Sequence, residues 1–128
     1  MKERNLSTIL LLVLLLLSSI QGKAQTAYQR QIDSIRHEIP KLKGKDLIEA
    51  YYKIYNICYY AGDVKQERSS ITELLEESER QGNIERQGTA RVALLYYYYN
   101  TDLIDSLLLE FPKQQQFLLK HQDWKLYY

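Results

Sequence analysis

YYKIYNICYYAGD, residues 51–63, decides the fold. Ile48, Tyr52, Tyr55 and Tyr59 fall on one helical stripe, and Leu47, Tyr51, Ile54 and Cys58 on the next. Ala50, Ile54, Ile57 and Ala61 add a third apolar or small face, leaving Asp46, Glu49, Lys53 and Asn56 as the polar stripe. A helix apolar over most of its circumference requires neighbours on several sides, so residues 46–61 read as the inner helix of a stack. Gly62 suits the position just past the helix end, where a left-handed backbone is cheap for glycine. Asp63 then caps the next helix, with Gln66 completing a capping box.

The pattern returns about forty residues later. The run of tyrosines at 96–99 is followed by the turn Asn100-Thr101-Asp102. Tyr59-Tyr60 falls on Tyr98-Tyr99, Asp63 on Asp102, and Gln81-Gly82-Asn83 on His121-Gln122-Asp123, a period of 39 to 40. A third copy starts at Asp123 with Trp124, Leu126, Tyr127 and Tyr128. A fixed period of this size marks stacked helical repeats, whose usual work is binding other proteins.

Between these landmarks the chain reads as helix. Residues 27–39 carry Tyr28, Ile32, Ile35 and Ile39 at helical spacing, and Pro40 ends or kinks that segment. Lys41 to Lys45 forms a short basic link around Gly44. Residues 63–81 place Val64, Ile71, Leu74, Leu75 and Ser78 inward, with Glu76 and Arg80 as an outer i, i+4 pair. In residues 84–99, Ile84, Gly88, Val92, Leu95 and Tyr99 share one side, and Gly88 suits close approach of a neighbour. A strand over 92–99 competes, because valine and tyrosine favour strands. The match in register to the earlier helix decides for helix. Asp102 should cap a short helix, which Pro112 breaks before opening another that carries Phe117, Leu118 and Leu119.

The amino terminus has a different character. Lys2 and Arg4 precede an unbroken apolar run at residues 9–17, and Gly22-Lys23-Ala24 offers the small residues of a cleavage site. Residues 1–24 therefore read as a secretory signal peptide cut between Ala24 and Gln25. An uncleaved anchor is the alternative, although the run falls short of the roughly 20 residues of a membrane span. Removing Lys2, Glu3, Arg4 and Lys23 leaves 14 basic and 15 acidic residues in 25–128, a net charge of −1. Nothing in that balance suggests nucleic acid. The single cysteine, Cys58, permits no intramolecular disulfide, so packing alone must supply stability.

The stretch YYAGD at 59–63 resembles the turn between the two helices of a tetratricopeptide repeat, with Gly88 at its small inner-helix position and a period longer than the usual 34. More closely, a signal peptide followed by YYKIYNICYYAGD, ESERQGN and ARVALLYYYYNTDLIDSLL resembles the periplasmic repeat region of membrane-bound sensor histidine kinases. The resemblance covers residues 25–128. It implies an exported sensing region, with a membrane span and kinase core lying downstream of a chain that ends inside its third copy.

No residue set reads as catalytic. His37-Glu38-Ile39-Pro40 superficially suggests a phosphoacceptor box, but the proline stands too close. Cys58 lies on a buried stripe as a small hydrophobe, with no histidine base tied to it. Two histidines and one cysteine show no metal-ligand spacing. Glu73, Glu76, Glu77 and Glu79 read as a solvated face. Tyr51, Tyr52, Tyr55 and Tyr59 read mainly as core. Four consecutive tyrosines cannot all point one way, because successive helical residues are 100° apart. Tyr60, Tyr96 and Tyr97 are the candidate partner-binding residues, with a plain structural role as the alternative.

The expected fold is all-α: antiparallel helix pairs in a tetratricopeptide-like α-solenoid, about two and a half repeats forming one domain at 25–128. The expected function is non-catalytic recognition of a protein or peptide outside the cytoplasm, without cofactor or metal, as the sensing part of a histidine kinase. A stand-alone secreted scaffold is the alternative.

Overall fold

The computed structural model describes the backbone of residues 2–121, and side chains at 5–20 and 27–121. Among these residues every regular element is helical. The order is α1 (Lys2–Glu38), a 3-10 turn (Ile39–Lys41), α2 (Gly44–Ala61), α3 (Val64–Gln81), α4 (Ile84–Asn100) and α5 (Ile104–His121). The strand alternative at 92–99 is therefore excluded. Each helix packs on the next in chain order. The expected third copy at 123–128 lies outside the described residues.

Two-residue turns set the spacing. Gly62 and Gly82 adopt left-handed φ values of 69° and 68°, and their N–H groups return to the last turns of α2 and α3. Asp63 and Asn83 then cap α3 and α4, accepting from the backbone N–H of Gln66 and Arg86. The capping box forms only in part. The Asp63 N–H donates to the Cys58 carbonyl, while the Gln66 side chain donates to the Asp63 carboxylate and to Gln29 on α1.

Three apolar clusters run through the stack. Ile32 of α1 meets Ile54 and Cys58 of α2. Ile48, Leu74 and Ala90 join α2, α3 and α4. Ile71 packs with Ala93 and Leu94, flanked by Tyr55, Tyr97 and Tyr98. Polar clamps tie α1 to α3 and α2 to α4. Arg36 of α1 holds Glu73 of α3 through two hydrogen bonds of 3.2 and 3.0 Å. Arg86 of α4 holds Glu49 of α2 at 2.8 and 3.0 Å, with its guanidinium 3.8 Å over the Tyr52 ring. Both pairs are 37 residues apart in sequence.

Several expectations require correction. Val64 is exposed, because it starts α3 beyond the edge of α2. Arg80 pairs with Glu77 rather than Glu76, which points to solvent. In α4 the buried side is Gln87, Gly88, Ala90, Ala93 and Leu94, while Ile84 and Tyr99 are exposed. Small residues win the interface there because they let α4 approach α2 and α3 closely. Asp102 does not cap α5; it takes a left-handed φ of 56° in the turn, a conformation aspartate tolerates better than most residues. Pro112 does not break α5, which continues to His121. Pro112 and Leu108, whose carbonyl loses its helical donor, both lie on the exposed side.

The first part of α1 stands apart from this packing. The leucines, isoleucines and valine between residues 6 and 20 are 46–70% exposed. Among the described residues no helix is long and apolar enough to cross a membrane.

Replacing Pro112 with alanine should stabilise the protein by about 2 kcal/mol, because an exposed helix interior regains a hydrogen bond at no packing cost. Chemical denaturation of both proteins measures this. A destabilised Pro112→Ala variant would contradict a continuous α5.

Candidate recognition surface

α2 and α4 lie side by side, and their facing side chains enclose a groove of about 290 Å³. α2 contributes Tyr52, Tyr55, Asn56, Tyr59 and Tyr60; α4 contributes Thr89, Val92, Ala93 and Tyr96. Tyrosines of α2 at helical spacing make a ladder, with ring centroids 6.3 Å apart from Tyr52 to Tyr55 and 6.1 Å from Tyr55 to Tyr59. Tyr60 meets Tyr59 edge-on at 5.3 Å. The ladder grades from inside to outside. Tyr55 is half-buried, and burial, with smaller help from the Glu67 carboxylate, pushes its phenol up to about 12. Tyr60 is 84% exposed and Tyr96 61% exposed.

Two of the three sequence candidates thus meet on one groove, and the third does not. Tyr97 turns away toward α3, where it packs against the Ile71 cluster. Arg68 covers that side, with its guanidinium 5.9 Å from the Tyr97 ring and 5.6 Å from Tyr98, to whose hydroxyl it donates at 3.3 Å. Tyr59, read from sequence as core, is exposed on the groove instead. Its position at the end of α2, one residue before the exposed Tyr60, is the signal that was available.

A second groove opens on the other side of Tyr96. Val92, Leu95, Tyr96 and Tyr99 of α4 and Leu107, Phe111, Gln115 and Leu118 of α5 line a cavity of about 380 Å³. Only Gln115 and the tyrosine hydroxyls interrupt its apolar wall. The sequence alone does not bring these residues together, because Pro112 reads there as the end of a short helix and parts Phe111 from Leu118.

The titratable groups have structural surroundings. Cys58 is fully buried, and burial raises its thiol pKa despite an opposing hydrogen bond from Ser70. His37 lies exposed near the end of α1, and His121 stacks on Phe117 at 4.6 Å. Ala24 and Gln25 fall within α1, but their side chains lie outside the described ones. Among the described residues no three of His, Cys, Asp or Glu gather as metal ligands. Of the acidic face, Glu73 pairs with Arg36, Glu77 with Arg80 and Glu79 with Arg91.

Glu67 is the exception. It is 8% exposed, and among the described residues none donates a hydrogen bond to its carboxylate. Burial raises its pKa above the ordinary 4.5. The folded state therefore holds this proton more tightly than the unfolded chain. The resulting stabilisation is complete below the unfolded value and is lost as pH rises through the folded one. Glu67→Gln should raise the thermal midpoint by a few degrees at pH 7 and change it little at pH 4. Calorimetry at both pH values checks this, and an unchanged midpoint at pH 7 counts against it.

Set against known proteins, the chain matches no protein-family model, no curated protein and no solved structure.

Proposed function

We propose that this chain is an exported, non-catalytic recognition module, with helix pairs arranged as in tetratricopeptide repeats. The observation that carries the reading is the joint placement of Tyr60 and Tyr96, exposed on facing helices of one groove. Tyrosine offers a large amphipathic contact area at low entropic cost, which suits a surface that must grip a protein or peptide. The half-buried Tyr52 and Tyr55 continue through Tyr59 to the exposed ring of Tyr60 as one run of aromatic contacts.

Export is supported by the exposed apolar residues between 6 and 20, which contribute nothing to the packed helices. Cleavage between Ala24 and Gln25 would remove them and leave the described core clusters intact, since among the described side chains the first to join one is Tyr28. The resemblance to extracytoplasmic regions of sensor histidine kinases adds the setting: the groove receives a signal-bearing protein or peptide and passes that event to a kinase.

Two measurements test this. Intact mass of the protein recovered from the periplasm should correspond to a chain beginning at Gln25; a retained residue 1–24 segment overturns cleavage. Photoreactive benzoylphenylalanine placed at Tyr60 or at Tyr96 should give the same cross-linked adduct in cells, and none when placed at the exposed Lys65. The Tyr60→Ala, Tyr96→Ala double variant should bind that adduct's protein at least about tenfold more weakly, with its thermal midpoint unchanged. Equal capture by the double variant removes the groove from recognition.

A further inference from the structure

The apolar residues between 6 and 20 stand exposed, while the same helix from Tyr28 onward is built into the stack. Tyr28 donates to the Asp63 carboxylate at 2.9 Å, and Gln29 accepts from Gln66 at 2.8 Å. These two bonds hold that turn of α1 against the start of α3. Cleavage between Ala24 and Gln25 therefore leaves a helix whose new first residue lies one turn before an anchored one. That new first residue is a glutamine. In glutamine the side-chain carboxamide carbon can close a five-membered ring with the α-nitrogen of the same residue.

We propose that Gln25, once released as the amino-terminal residue, closes on itself to a pyroglutamyl end. The neutral α-amine attacks the side-chain Cδ. The N–Cδ bond forms, the Cδ–Nε2 bond breaks, and ammonia leaves with one proton from the amine. The ring closes within one residue, so the step needs no oxidant, reductant or second substrate. The setting favours it. An α-ammonium there would stand at the positive end of α1, where a cation is disfavoured. That raises the share of neutral amine, which is the attacking form. No carboxylate relieves the charge from within the helix. The first turn would be Gln25, Thr26, Ala27 and Tyr28, and the first acid of α1 beyond them, Asp33, lies about two turns on and accepts from Gln29. Asp63, the acid nearest Tyr28, is already taken: it accepts from Tyr28 and from both the backbone and the side chain of Gln66. The lactam carries no charge, so the product suits a helix start better than the reactant. It also leaves no free amine for an aminopeptidase that would trim the chain toward Tyr28. The inference rests on the export and cleavage proposed above and adds the chemical state of the end that cleavage creates.

The test takes the chain recovered from the periplasm and measures its intact mass before any digestion. The expected species begins at Gln25 and is lighter than unmodified 25–128 by one ammonia. An amine-acylating reagent applied to the intact protein should leave the tryptic peptide 25–30, which contains no lysine, unlabelled. Pyroglutamyl peptidase should remove residue 25 and make Thr26 reactive. Gln25→Asn is one methylene too short for the five-membered ring, so its terminus should be labelled. A chain that begins at Gln25 with full mass and a reactive amine overturns the inference and leaves export standing. A chain that retains residues 1–24 overturns cleavage, and the inference with it. An unlabelled Gln25→Asn terminus means a different block and also overturns it.

Discussion

α2 cannot be satisfied by one neighbour, and the rest of the molecule follows from that. Ile54 and Cys58 require α1, Ile48 requires α3 and α4, and the Tyr52–Tyr55 face requires α4 above it. A helix with apolar residues on three sides is stable only when sandwiched. Its neighbours must then arrive by turns short enough to keep them adjacent. Gly62-Asp63 and Gly82-Asn83 meet that demand in two residues each, using a left-handed glycine to stop one helix and a polar side chain to start the next. The spacing of 20 residues between helix starts is the combined result.

Electrostatics then fixes the offset between alternate helices. Arg36–Glu73 and Arg86–Glu49 are partly buried pairs with paired hydrogen bonds, the geometry in which an ion pair adds specificity. Tyr28 donating to Asp63 and Gln66 to Gln29 join α1 to the start of α3 at nearly the same sequence separation. Apolar contacts alone would tolerate sliding of one helix along another. These directional bonds do not, and they hold the tyrosine ladder of α2 opposite Tyr96 of α4.

The caps and the apolar stripes of α2 are legible in the sequence because they are local: Gly62, Gly82, Asp63 and Asn83 act within a few residues. The side of α4 that meets the core is not legible in the same way. Val92 and Leu95 are more hydrophobic than Ala90 and Ala93, yet the alanines are buried because they stand, with Leu94, on the side of α4 that meets α2 and α3. Pro112 misleads for a related reason, since its cost depends on whether the freed carbonyl is exposed, a tertiary property. Tyr60 and Tyr96 are found from helical geometry alone. Tyr97 differs by one residue, and 100° of rotation turns it toward Arg68. Glu67 has no sequence signal at all, because its burial is imposed by neighbours from other helices.

The short reach of every contact has a kinetic meaning. The directional links between alternate helices join residues no more than 37 apart. Chains built from such local contacts fold fast, because little loop entropy is lost before each contact forms. Each helix pair leaving the ribosome can dock on the pair before it, so order grows in the direction of synthesis.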